Sequence, residues 1–214
     1  LQIIQYMAIP SPPSLDALCK SLSSYAGRDK VVRSLAFISS LQALSQNPPS
    51  KEWAAFAKQL SSARMVFRQF NHPGMMKACL GLMKQAPEDE VERYCAYTVT
   101  GVYTVYGVTE LLAWLSDAKL IAGDSAKLFR YCLYMWLTAL MAGIVRQCRV
   151  LAKRKDWSLE KVKEDVLLLI SYCCDFISGA NSLPPGLLWS GKIQSKTTAK
   201  LSLIASLIGF YRTF

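Results

Sequence analysis

A single histidine, His72, occurs among the 214 residues, and charged side chains make up only 19 % of the chain. One histidine leaves a Ser–His–Asp or Cys–His arrangement without alternatives and gives a zinc site no ligand set. His72 stands beside Pro73 in an expected turn, where a surface role is the plain reading. Glycines are isolated: Gly101, Gly107 and Gly143 build neither a phosphate-cradling loop nor a dinucleotide fingerprint. No zinc-finger spacing or RNA-reading motif accompanies the basic residues, so nucleic acid is not expected as a partner. No Asn-x-Ser/Thr acceptor occurs, because Asn47 precedes Pro48 and Asn181-Ser182-Leu183 misses the pattern. No alternation of period two persists, which excludes a sheet protein. No uncharged apolar run reaches the roughly eighteen residues of an unambiguous transmembrane helix. The expectation is a non-catalytic, all-α protein without metal or cofactor.

Hydrophobic residues reach 52 % of the sequence, and the mean hydropathy is +0.20. That is more apolar surface than one small core needs. Lys and Arg number 25 against 15 Asp and Glu, a formal net charge of +10. The surplus suits an anionic partner, and the cations stand beside apolar faces, which favours a phospholipid leaflet. The seven cysteines are odd in number and fall mostly inside apolar helical runs; Cys173 and Cys174 are adjacent. Buried, reduced thiols on the cytosolic side are expected rather than a disulfide framework.

Helical periodicity runs throughout. Residues 1–13, opening on Leu1 and containing Pro10, Pro12 and Pro13, read as a flexible lead-in, with Met7 a candidate start. Residues 14–214 read as one helical domain. Ser14 is a candidate N-cap, and Gly27 is read as the stop or bend between a first helix and a second near 28–46. Asn47-Pro48-Pro49 breaks the second, and Ser50 caps a third over about 51–70. A short helix near 75–85 follows, then helices near 88–117, 125–154 and 157–178, and a last apolar run at 201–211.

The third helix carries the most information. Trp53, Phe56, Leu60, Ala63, Phe67 and Phe70 recur at steps of three and four and cover about 100° of arc. Lys51, Lys58, Arg64 and Arg68 lie off that stripe, the arginines along one edge and the lysines across the helix. Such a stripe serves a lipid surface or a protein core, and both readings stand. Residues 131–145 are uncharged between Arg130 and Arg146 and cover about 22 Å. They form a short span if the arginines snorkel, or else the interior of a bundle. Residues 201–211 cover about 16 Å and dip rather than cross. Arg146, Arg149, Lys153, Arg154 and Lys155 follow the better span, which by charge bias places that side in the cytosol. Glu110 is the carboxylate beside an apolar run, with Arg93 or Lys119 as expected partner; a structural contact and a transport role are both open.

Tyr25-Ala26-Gly27-Arg28-Asp29-Lys30-Val31-Val32-Arg33 is similar to the opening signature of the peroxin-eleven family, the peroxisomal membrane elongation proteins. Ala63-Arg64-Met65-Val66-Phe67-Arg68 resembles that family's basic-aromatic helix. Leu183-Pro184-Pro185-Gly186-Leu187-Leu188-Trp189-Ser190-Gly191-Lys192 resembles the stretch before its last hydrophobic segment, especially in the gamma branch. The matches run in order over 14–214. The resemblance implies a membrane-associated bundle of about seven helices with one or two short hydrophobic segments, about 128–146 and 198–213, and both termini in the cytosol. That topology puts the basic run after Arg146 on the matrix side, opposite to the charge-bias reading. It implies a homo-oligomeric protein of the peroxisomal membrane that curves and elongates that membrane before fission, promoting peroxisome biogenesis and proliferation. The remodelling helix maps onto 51–70, with Trp53, Phe56, Leu60, Phe67 and Phe70 inserting and Lys51, Lys58, Arg64 and Arg68 meeting anionic lipid. The implied partners are the anionic membrane, further copies of the chain, and fission machinery (a dynamin-related protein and its adaptors). A pore for small metabolites near Glu110 and 131–145, or a helical adaptor, are the alternatives.

Overall fold

The computed structural model describes residues 14–69, 72–155 and 157–214. The lead-in 1–13, Phe70 and the His72 side chain lie outside the described residues. Among the described residues eight helices run in order: α1 (Leu15–Ser23), α2 (Tyr25–Ser45), α3 (Lys51–Arg68), α4 (His72–Lys84), α5 (Glu90–Asp117), α6 (Ser125–Ala152), α7 (Leu159–Ala180) and α8 (Ser195–Tyr211). No strand occurs among the described residues. The all-α reading holds.

The helix starts follow local chemistry. A side-chain oxygen ahead of the first turn satisfies an amide that would otherwise lack a partner. Ser14 accepts from the Ala17 amide at 3.2 Å and Ser50 from Trp53 at 3.2 Å. Asp89 accepts from Glu92 and Asp124 from Lys127, each at 3.0 Å. One boundary differs from expectation. The break between α1 and α2 falls at Ser24, which caps α2 through the Gly27 amide at 3.0 Å. Gly27 lies inside α2 and serves a close approach instead: a Cβ there would stand 2.0 Å from the Ser21 carbonyl oxygen. His72 also belongs to a helix, α4, rather than to the turn expected around it.

α5 packs along α6, α6 along α7, α7 along α8, α8 along α2, and α2 along α3. An ion pair joins α3 to α5, so six helices close a ring. α4 lies outside against α5, and α1 folds back on α2. The interior of this ring is built from small residues. Among the described residues, nine of the fourteen buried apolar side chains are alanine, and six of the eleven buried polar ones are serine. Large apolar groups point outward instead. Met76, Leu80 and Met83 form a stripe on α4; Tyr94, Val105, Val108 and Leu112 one on α5; Tyr131, Met141 and Val145 one on α6. A water-soluble bundle would do the reverse. Where lipid is the solvent, burying leucine gains nothing, and close backbone approach through Ala, Gly and Ser drives packing. Hydroxyls bind across the seams: Ser178 and Ser202 at 2.7 Å, Ser21 and Thr213 at 2.6 Å. A compact apolar cluster remains where Leu137, Leu140, Ala180 and Leu183 meet Trp136, Tyr172, Phe176 and Trp189.

α6, with 28 residues, is the one helix among the described residues long and apolar enough to cross a membrane. Its length is about 42 Å, against a hydrocarbon core of ~30 Å. α8, with 17 residues, reaches about 26 Å.

Candidate membrane-binding helix and the cavity behind it

α3 turns two different edges to its surroundings. Trp53 is 39 % exposed and Phe56 45 %, their rings edge to face with centroids 6.4 Å apart. Leu60 and Phe67 are half-buried along the same stripe. Lys51 and Lys58 are exposed and make no ion pair among the described residues. The edge beside the aromatic stripe carries Ala57, Arg64 and Arg68, and it faces the bundle. Ala57 is buried. Arg64 Nε donates to Asp29 Oδ1 on α2 at 2.9 Å, and Arg68 Nε donates to Glu110 Oε2 on α5 at 3.2 Å. The structure therefore separates the four cations that the sequence grouped together. Two lysines stay at the surface; two arginines lie against carboxylates.

Behind that edge lies a cavity of about 800 Å³, lined by all six helices of the ring. α2 contributes Asp29, Lys30, Arg33 and Phe37, α3 Arg64 and Arg68, and α5 Tyr103 and Tyr106. Leu133, Trp136 and Leu140 of α6 and Leu168 of α7 form an apolar wall. Asp175 on α7 and Arg212 after α8 complete the charged lining. Arg33 is 7 % exposed and holds Asp175 through both terminal nitrogens, Nη1 to Oδ2 at 3.0 Å. Arg212 Nε reaches Glu164 Oε2 at 3.2 Å. Burial lowers the Lys30 ammonium from its ordinary range, and the neighbouring Arg33 adds to the effect. Burial also pushes Tyr103 up to about 12.

Glu110 is 4 % exposed, and its partner is neither Arg93 nor Lys119. Arg68 takes it, and the Tyr106 hydroxyl donates to it at 2.7 Å. Arg93 pairs with Glu90 instead, at 3.7 Å. Lys119 lies beyond the end of α5 with φ 62°. The basic run after residue 146 is also largely matched. Arg146 meets Glu92 at 3.0 Å, Arg149 meets Asp89 at 3.0 Å, Lys153 also meets Asp89, and Arg154 meets Asp165.

Sequence reasoning missed the cluster Lys30, Arg33 and Asp175. The signal was available: Asp175 is a carboxylate inside an apolar helical run, the same criterion that singled out Glu110. The seven cysteines are all free, as expected, but only Cys132 and Cys174 are buried, while Cys19 and Cys148 are exposed. Cysteines in an apolar run need not face inward when the outside of the bundle is apolar too. No group of three metal-ligating side chains occurs among the described residues.

A helical bundle with a small-residue interior, an apolar exterior and an aromatic-basic helix on its flank is a membrane-associated protein. The model of one family, peroxisomal biogenesis factor 11 (PEX11), matches residues 15–165. The chain is similar to human peroxisomal membrane protein 11C, 23 % identical over 226 residues, covering 93 % of this chain and 94 % of that protein. It is likewise similar to mouse peroxisomal membrane protein 11C, 23 % identical over 224 residues, covering 91 % and 92 %. No solved structure matches. The chain belongs to the peroxisomal biogenesis factor 11 family, a protein of the peroxisomal membrane with a part in peroxisome biogenesis.

Proposed function

We propose that this chain shapes the peroxisomal membrane, elongating it ahead of fission, and that α3 is the element that inserts. The observation that carries this reading is the exposure of Trp53 and Phe56 on a helix whose neighbouring edge is ion-paired to the bundle. The helix is held at its flank while its aromatic stripe is open. Full burial of each large apolar side chain is worth roughly 1.5–3 kcal/mol, so Trp53, Phe56, Leu60, Phe67 and Phe70 together anchor a helix lying in one leaflet. A wedge of that kind sits ~5–10 Å deep and spreads the headgroups of a single leaflet, which favours positive curvature. Lys51 and Lys58 lie across the helix, within one Debye length of an anionic surface. Each contributes about 1 kcal/mol there. At the leaflet surface Arg64 and Arg68 contribute by holding α3 in place rather than by meeting headgroups there. Anionic phospholipid is the first partner; further copies of the chain and a dynamin-related fission protein with its adaptors are the others. We assign the chain no catalytic step.

The test uses the full-length chain in anionic liposomes, scored for tubules by electron microscopy. Wild type is expected to tubulate and a Trp53→Glu/Phe67→Glu chain to lose tubulation while still folding. Equal tubulation by both removes the insertion mechanism.

One observation favours a second reading. The polar cavity inside the ring, closed by Arg68 and Glu110, is the kind of interior a conducting path for small metabolites would need. Planar-bilayer conductance that changes in Glu110→Ala supports that path, and purified wild-type protein without conductance eliminates it.

A further inference from the structure

Five cations line the cavity, and four of them have a carboxylate at hand. Arg33 holds Asp175, Arg64 holds Asp29, Arg68 holds Glu110 and Arg212 holds Glu164. Lys30 makes no ion pair among the described residues, although Asp29 and Asp175 both act on its charge from a distance. Its stem lies along the backbone of α8 at Gly209: a Cβ there would be 3.1 Å from Lys30 Cδ and 3.2 Å from Nζ. The glycine leaves the room that the lysine occupies. An ammonium half withdrawn from water without a partner is costly, and the usual remedy is to neutralise it or supply an anion. The arginines can help. A guanidinium has five N–H donors, and a two-point carboxylate contact leaves three free. Among the described residues, Arg33 and Arg64 each make only such a two-point contact.

We propose that the bundle cavity is a binding site for a phosphate group, with the Lys30 ammonium as its counter-charge and the unused N–H groups of Arg33 and Arg64 as its further donors. Phosphate fits this set because it accepts several hydrogen bonds at once and keeps its charge at neutral pH. A volume of about 800 Å³ exceeds what a bare phosphate needs. The wall of Phe37, Trp136 and Leu140 gives the remainder of the space an apolar lining. The phosphate can therefore belong to a lipid headgroup or to a free small anion; the recognising chemistry is the same. The site stands apart from the lipid contact of α3, which uses Lys51 and Lys58 on the outer surface.

The test uses the full-length chain in phosphatidylcholine nanodiscs. Thermal stability is followed against inorganic phosphate, with sodium chloride at matched ionic strength as control, and separately in discs containing phosphatidic acid. Wild type is expected to be stabilised beyond the control. Lys30→Met is expected to bind about tenfold more weakly, to unfold no earlier than wild type without ligand, and to sediment with anionic liposomes as wild type does. Lys30→Arg keeps the effect. Lys30→Gln, which retains a polar end, should reproduce the loss. Stabilisation by both probes assigns the site to any phosphate, and stabilisation by phosphatidic acid alone assigns it to a headgroup. If neither probe stabilises wild type, or if Lys30→Met and Lys30→Gln respond as wild type does, the proposal is overturned.

Discussion

Arg68 and Glu110 are 42 residues apart in sequence, yet both oxygens of the Glu110 carboxylate accept from the Arg68 guanidinium. This pair joins α3 to α5 and closes the ring of helices. The carboxylate is nearly enclosed, with 5 % of its side chain exposed, while Arg68 retains 30 %. Removing the acid therefore strands a cation that still has some water to turn to. Glu110→Gln should cost roughly 1–3 kcal/mol, below the range for a fully buried pair. Tyr106→Phe, which removes one donor to the same carboxylate, should cost about 1 kcal/mol. Replacing both charges, as in Arg68→Met with Glu110→Leu, should recover most of the loss, because no uncompensated charge remains. Thermal unfolding of the detergent-solubilised chain, followed by circular dichroism, measures all three.

The four cations of the third helix should divide under mutation as they divide in space. Lys51→Gln with Lys58→Gln removes about 2 kcal/mol of headgroup attraction, roughly thirtyfold in affinity for anionic liposomes, and leaves stability unchanged. Arg64→Gln leaves Asp29 without its guanidinium and should lower stability first. Co-sedimentation across a salt series separates the two: the lysine effect fades as salt rises, and the arginine effect persists.

How much of this was legible in the chain follows from what each residue senses. Ser50 and Asp124 cap their helices through amides three residues away, so their roles show in the sequence. The same holds for the stripe from Trp53 to Phe67. Arg64 and Arg68 looked like lipid ligands because a helical wheel gives their angle but not what stands opposite; Asp29 and Glu110 arrive from 35 and 42 residues away. The Ser24 break was hidden by Gly27, whose usual meaning is a stop. Its use here, room for the Ser21 carbonyl, exists only once α1 has folded back. The alanine-rich interior was hidden for a different reason. Counting apolar residues assumes that the large ones point inward, and in this bundle Met83, Tyr94 and Val105 point outward.

Asp89 predicts an acid limit to the seam between α5 and α6. Arg149 and Lys153 hydrogen-bond its carboxylate, and with the Glu92 amide they hold it far below the ordinary carboxylate range. A depressed folded-state value means that its stabilisation is fully present above the unfolded value near 3.8 and is lost as pH falls below it. Asp89→Asn keeps an N-cap acceptor and removes the charge. It should unfold earlier than wild type at neutral pH, and the difference should shrink as the pH is taken below about 3. A gap that stays constant across the titration contradicts this role for the charge.

Two glycines should respond to alanine with opposite signs. At Gly27 the new methyl would stand 2.0 Å from a backbone oxygen of Ser21, which cannot rotate away, so α1 must lift from α2. Overpacking of this kind costs about 1–3 kcal/mol. The damage should also reach the C-terminus, because Ser21 holds Thr213 through its hydroxyl at 2.6 Å. At Gly101, inside α5, a Cβ meets nothing within 4 Å. Alanine there only reduces the freedom of the unfolded chain and should stabilise by about 0.5–1 kcal/mol. Hydrogen exchange distinguishes a local from a global effect. Gly27→Ala should raise exchange in Leu15–Ser23 and at Thr213 while leaving α6 protected, and Gly101→Ala should slow exchange within α5.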